Sequence, residues 1–193
     1  MNKEFEKRRR KLAKLIGKDG IAVIPTASTR VRSRDTDYPY RPDSDFYYFT
    51  GFSEPNAVMI LAPGREDGPF IVCLREKNPL TEIWDGHMEG LNGVKKNYEA
   101  DQSFDIEDLE TILSSLFLGR QKVFFTLGQD EVLDKTLMKS FNAVRAGQRR
   151  GGVVPSEIQA LEPLVDEMRL IKSKYEISLM KKSAKISVDA HKR

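Results

Sequence analysis

Apolar positions along the chain follow two periods, and the switches between them lay out a series of helices and strands. Over residues 3–16, Phe5, Leu12, Leu15 and Ile16 fall on one helical face and basic residues fill the rest. Gly17 and Gly20 mark the end of that helix. Residues 21–25 (Ile-Ala-Val-Ile-Pro) read as a buried strand that stops at Pro25. Two apolar runs follow at 57–62 and 70–74. The loop between them carries Gly64 and Gly68 between Pro63 and Pro69, which predicts a hairpin. Helical spacing returns over 105–118 through Ile106, Leu109, Ile112, Leu113 and Leu116, with Asp105 or Ser103 as N-cap. Residues 122–127 read as a strand, and 130–144 as a helix through Val132, Leu133, Leu137, Phe141 and Val144. Strands interleaved with helices predict an α/β layered domain, and the hairpin makes its sheet mixed rather than purely parallel.

The tail has a character of its own. Residues 166–172 lead into Ser173-Lys174-Tyr175-Glu176, and a Ser followed three places later by Glu is a capping box. A helix is therefore expected from about Lys174, with Ile177, Met180, Ala184, Ile186 and Val188 as its apolar positions. No Gly, Asn or Pro stop follows it before Arg193. Two explanations stand side by side: a chain cut at a domain boundary, or a terminal helix that folds back on its own domain.

Composition narrows the class. A length of 193 residues suits one ordinary domain plus a short extension. With 39% hydrophobic and 32% charged residues it is a globular composition rather than a disordered one. The net charge of +3 favours neither nucleic acid nor an anionic membrane as partner. The basic N-terminus has no apolar stretch of signal-peptide length, and no window approaches the roughly 18 apolar residues of a membrane-spanning helix. Cys73 is the only cysteine, in an apolar run. It reads as a buried strand residue in a reducing compartment, which predicts the cytoplasm.

Candidate chemistry is sparse. His87 and His191 are the only histidines, and the surroundings of His87 (Trp84-Asp85-Gly86-His87-Met88-Glu89) have no metal-ligand spacing, so a surface-loop role is expected. There is no G-x-S-x-G elbow, P-loop or G-x-G-x-x-G turn, and Cys73 lacks a His/Asp partner pattern. Residues 30–52 carry the most information. Seven aromatic residues lie between Tyr38 and Phe52, preceded by Arg30, Arg32 and Arg34 and interleaved with Asp35, Asp37, Asp43 and Asp45. Phe46, Phe49 and Phe52, spaced by three, suit the base of the core. The carboxylates argue against a single-strand nucleic-acid platform. Asp35 and Asp37 beside arginines suit salt bridges better than acid–base work.

That segment resembles a known family. DYPYRPDSDFYYFTGFSEPNAVMIL is similar to the signature of the creatinase/prolidase N-terminal domain, in the form found in bacterial-type Xaa-Pro aminopeptidases. FEKRRRKL at 5–12, EIW at 82–84 and VDEMRLIKSKYEISLMKKSAKIS at 165–187 agree with it in order and spacing, while residues 87–160 add little. The resemblance implies a three-layer α/β domain with a mixed β-sheet flanked by helices and a ribonuclease H-like motif. It implies this domain over residues 1–165, with 166–193 as the linker and first helix of a C-terminal metallopeptidase domain. Catalysis in the family belongs to that second domain, through two manganese ions held by two Asp, one His and two Glu. The chain itself is then expected to bind no cofactor and to be inactive alone.

By the same resemblance its partners are its own catalytic domain, further copies in a dimer or tetramer, and proline-containing peptides, with no nucleic acid and no membrane. Trp84 matches a residue that lines a neighbouring subunit's cleft. The alternation Leu80, Glu82, Trp84 predicts that Trp84 ends a strand, where core filling is the competing role. Asp35 and Arg150 match further lining positions, and Arg149 fits the same register as Arg150. Two other readings stay open: a free-standing, non-enzymatic binding protein, and a prolidase or creatinase relative.

Overall fold

The computed structural model describes residues 3–147 and 153–192, which divide into two compact units, Met1–Leu161 and Glu162–Arg193. In the first, α1 (Lys3–Ile16) turns at Gly17, whose φ of 73° is left-handed, into β1 (Gly20–Pro25). A small hairpin, β2 (Val31–Ser33) and β3 (Thr36–Asp37), leads to the short helix α2 (Ser44–Thr50). Strands β4 (Val58–Leu61) and β5 (Phe70–Leu74) form the expected antiparallel hairpin. Helices α3 (Pro79–Asp85) and α4 (Gly90–Tyr98) follow, then β6 (Gln102–Asp105), a 3-10 turn (Ile106–Asp108), α5 (Leu109–Phe117), β7 (Lys122–Phe125), α6 (Glu131–Gly147) and β8 (Glu157–Ala160). Of the two proposed caps, Asp105 accepts from the Glu107 amide at 2.9 Å, whereas Ser103 lies within β6.

Apart from the β2–β3 hairpin, the strands form one six-stranded sheet in the order β6-β5-β4-β1-β7-β8. Only β4 runs against its neighbours; β1 is parallel to β7, β7 to β8 and β5 to β6. The expected mixed sheet flanked by helices is therefore the observed fold. Strand parity divides the side chains cleanly. Ile21, Val23, Val58, Ile60, Ile71, Cys73, Val123 and Phe125 pack with Leu109, Leu113 and Phe117 of α5 and Leu133, Leu137 and Phe141 of α6. The alternate positions, such as Ala22, Ile24, Met59 and Val72, face the side on which α1, α2 and α4 meet the sheet.

One expectation for α1 fails. Leu15 is 49% exposed, while Arg8 and Arg9, assigned to the solvated face, are buried. The reason is α2, which leaves carbonyls without helical partners at its end. Gly51, left-handed at φ 69°, satisfies Tyr47 through its amide. Arg8 Nη1 donates to the Tyr48 carbonyl at 3.0 Å and Arg9 Nη1 to that of Phe49 at 2.8 Å. Both guanidiniums also stack on rings, Arg8 over Tyr48 and Arg9 over Phe70, each 4.0 Å from the centroid. Gly51 has no room for a side chain, because a Cβ there would stand 2.4 Å from the Phe5 ring.

The second unit holds α7 (Glu162–Leu170), which buries Val165 and Met168, and α8 (Lys174–His191). The capping box forms in both directions: the Ser173 hydroxyl accepts from the Glu176 amide at 3.2 Å, and the Glu176 carboxylate from the Ser173 amide at 2.7 Å. None of the apolar residues of α8 is buried, Ile177, Met180 and Ile186 among them. Among the described residues no helix is long and apolar enough to cross a membrane.

Candidate functional site

Strands β1, β5, β6, β7 and β8 all end on one side of the sheet, as the pairing directions require. The connections leaving them there are the natural place for a site in such a sheet. The β2–β3 hairpin follows β1, and α3 follows β5, so Asp35 and Trp84 are carried on two projections from the same end. Between the strand ends lies a groove of about 550 Å³ lined in part by Thr26, Asn56, Arg75, Glu110, Asp130 and Leu133. Neither Asp35 nor Trp84 is among its lining residues.

Hydrogen bonds tie the aromatic segment to neighbouring loops at this end. Asp43 caps α2, its Oδ1 accepting from the Asp45 and Phe46 amides at 2.8 and 3.0 Å. Its other oxygen accepts from Gln129 Nε2 at 3.0 Å, which ties α2 to the loop after β7. The Tyr40 hydroxyl lies 2.6 Å from Thr26 Oγ1, with the carbonyls of Ala27 and Glu54 at 3.1 and 3.3 Å. Burial raises its pKa. Phe46, Phe49 and Phe52 are fully buried, as their spacing predicts. Asp35 and Asp37 sit exposed on the hairpin, where Arg34 takes a left-handed φ of 51°.

Trp84 departs from its expected setting. Residues 79–85 are a helix rather than a strand, and Trp84 is 87% exposed, which removes core filling as its role. Asn78 caps α3 by accepting from the Leu80 amide at 2.9 Å, and Pro79 takes the first turn, where its missing N–H costs nothing. Those two residues were the overlooked signal, since an alternation over five positions also fits a helix. In the helix Leu80, Ile83 and Trp84 form one stripe, and all three face solvent.

The opposite side of α3 is polar and is held by ion pairs. Lys77 Nζ lies 2.9 Å from Glu82 Oε1, and Arg75 Nη1 lies 3.3 Å from Asp85 Oδ2. Glu82 also accepts from the Met88 amide at 2.9 Å. His87, in a surface loop as expected, stands 3.5 Å from Glu82 and 3.8 Å from Glu89. The Met88 hydrogen bond, then Lys77, holds the Glu82 carboxyl below its usual range. Glu54, which accepts from the Glu89 amide at 2.8 Å, is shifted the other way, by burial and secondarily by the nearby Glu89 charge.

Cys73 is buried in β5 and its thiol is pushed up to about 12 by burial, with Asp108 and Asp105 adding to the shift. Among the described residues no three His, Cys, Asp or Glu side chains converge as a metal site would require. Arg149 and Arg150 lie outside the described residues. This end of the sheet thus presents a mixed groove, a helix with an exposed apolar stripe, and a hairpin on which Arg32 and Arg34 balance Asp35 and Asp37.

The family described as aminopeptidase P, N-terminal domain, matches residues 5–125. The Xaa-Pro aminopeptidase of Escherichia coli K12 is 32% identical over 191 residues, spanning 98% of this chain and 43% of that protein. The structure of Pseudomonas aeruginosa aminopeptidase PepP matches with a TM-score of 0.94 at 40% identity, over 98% of this chain and 43% of that one. A zinc-substituted E. coli aminopeptidase P in complex with product matches with a TM-score of 0.93 at 31% identity, over 99% of this chain and 44% of that one. The chain thus spans less than half the length of the proteins it matches.

Proposed function

The chain belongs to the aminopeptidase P N-terminal domain family, and from that premise we propose that it is the accessory and assembly domain of an Xaa-Pro aminopeptidase. The enzyme would remove the residue preceding a proline from the N-terminus of a peptide. The observation that carries this reading is the match of 98% of the chain to only 43% of an Xaa-Pro aminopeptidase, which leaves the greater part of such an enzyme for a catalytic domain. Two manganese ions in that domain would supply Lewis-acid activation of water. The described residues of this chain would contribute shape instead, narrowing the entrance so that peptide ends enter and folded chains do not.

Trp84 is the residue we assign to the cleft, reaching that of a neighbouring copy in a dimer or tetramer. What supports it is the stripe of Leu80, Ile83 and Trp84, at 74, 72 and 87% exposure, on a helix that buries none of its residues. Large apolar side chains exposed in a contiguous set mark interaction surfaces, and an indole face suits a proline ring. Asp35, on the hairpin at the same end of the sheet, is the second candidate. A cytoplasmic setting fits the single cysteine, which is free and buried.

Purified alone and supplied with manganese, the chain is expected to hydrolyse no Xaa-Pro peptide. A steady, chelator-sensitive rate that follows the protein through chromatography would overturn the accessory role. The coding sequence past Arg193 is expected to continue into a domain bearing two Asp, one His and two Glu as ligands. A stop codon there would favour a free-standing binding protein.

A further inference from the structure

We propose that Glu82 is the positioning residue of this site, clamping α3 by its polar side so that the stripe carrying Trp84 is presented outward. The inference rests on the reading of Trp84 as a lining residue and adds what holds it in place.

A helix of seven residues is far too short to be stable by itself and ordinarily gains its stability from an apolar face packed on the core. Helix α3 inverts that arrangement. Its three large apolar side chains face solvent, and none of its residues is buried. Glu82 and Asp85 lie on the opposite side, at two and one positions from Trp84 along a 100° helical step. The Glu82 side chain is only 20% exposed, and its Oε1 gathers two donors, the Met88 amide and Lys77 Nζ, each at 2.9 Å, with His87 Nδ1 3.5 Å away. Those donors come from both flanks of the helix, the segment entering from β5 and the loop leaving toward α4. One carboxylate oxygen therefore pins both ends of α3. The Arg75–Asp85 pair adds a second, more exposed tie. Beyond His87 stands Glu89, whose amide is held by Glu54, so the loop is anchored in turn to the segment before β4.

Trp84 is the only tryptophan, so its fluorescence reports α3 directly in this chain, without substrate or partner. In Glu82→Ala the Trp84 anisotropy is expected to fall at neutral pH and the Met88 amide to exchange about tenfold faster or more, as a local opening does. The thermal midpoint should barely move, because α3 contributes nothing to the core. Glu82→Gln keeps an oxygen for the Met88 amide and should recover most of the anisotropy. In the unsubstituted chain the clamp is present above the ordinary carboxylate range and is lost as pH falls through the depressed pKa of Glu82. The glutamine variant should lack that transition.

Unchanged anisotropy and unchanged Met88 exchange in Glu82→Ala would overturn the proposal. Should Glu82→Ala also unfold the chain, Lys77→Met decides, since it removes only the ion pair: lowered anisotropy supports the clamp and unaltered anisotropy overturns it. A clamp that behaves as described in an enzyme indifferent to Trp84→Ala would leave this inference standing and refute the lining role.

Discussion

Arg9→Met is expected to destabilise the chain by about 3 kcal/mol, the scale for losing a charged hydrogen bond and stranding its buried partners. Arg9 is 5% exposed and its guanidinium has three tasks. It donates to the Phe49 carbonyl at the end of α2, stacks over Phe70, and lies 3.8 Å from Glu99. Burial works against its charge, and Glu99, then Glu6 and Asp101, oppose that effect. Methionine retains much of the stacked stem and none of the donors, so the Phe49 carbonyl would be left buried without a partner. Urea unfolding followed by circular dichroism should show a lower midpoint at constant slope, with a drop in Tm of about 6–12 °C for a chain of this size. Arg9→Lys should fall between, since an ammonium reaches the carbonyl but presents no flat face to the Phe70 ring. A loss below about 1 kcal/mol for Arg9→Met would mean the carbonyl finds water instead, and the capping account of the α1–α2 contact would be wrong.

Trp84→Ala should have the opposite profile. An 87% exposed side chain on a helix with no buried residues is expected to change stability by no more than about 0.5 kcal/mol. In the assembled enzyme the same substitution should lower kcat/KM for Xaa-Pro peptides by about 30-fold, the equivalent of the roughly 2 kcal/mol carried by an aromatic anchor at an interface. Sedimentation of the variant tells two routes apart. An intact oligomer with weakened turnover places the indole against substrate, and dissociation places it against the neighbouring subunit. Normal kinetics on every peptide length with an intact oligomer would refute both. A stability loss of several kcal/mol in this chain would contradict the exposure on which the assignment stands.

How much of this was legible beforehand depended on the range of the forces involved. Helix α1, strand β1, the β4–β5 hairpin, α6 and the capping box of α8 are written in neighbouring residues: an apolar period, a glycine that can turn left-handed, a Ser and Glu three places apart. The core role of Phe46, Phe49 and Phe52 follows from the same local rule. Helix α3 was misread although its signal was local too, because five alternating positions satisfy a strand and the Asn78-Pro79 start outweighs them only once its capping bond is seen. Strands β6 and β8 left no such trace. Gln-Ser-Phe-Asp and Glu-Ile-Gln-Ala are strands by virtue of the β5 and β7 edges they pair with, and their side chains are half-buried in β6 and mostly exposed in β8.

By itself, then, the sequence determined which segments are helix or strand wherever burial repeats at a fixed period, and the family through the segment from Asp37 to Leu61. Only the tertiary structure decided that Arg8 and Arg9 belong inside, because the carbonyls they cap lie 40 residues away and no local pattern encodes them. It alone decided that Arg120 reaches the carbonyls of Gly20 and Pro63, 100 and 57 residues distant, and so ties the start of β1 to the β4–β5 loop. It also decided that Trp84 faces water. A side chain's exposure is set by what the folded chain places beside it, and α3, held by ion pairs on its polar side, has its apolar stripe left uncovered.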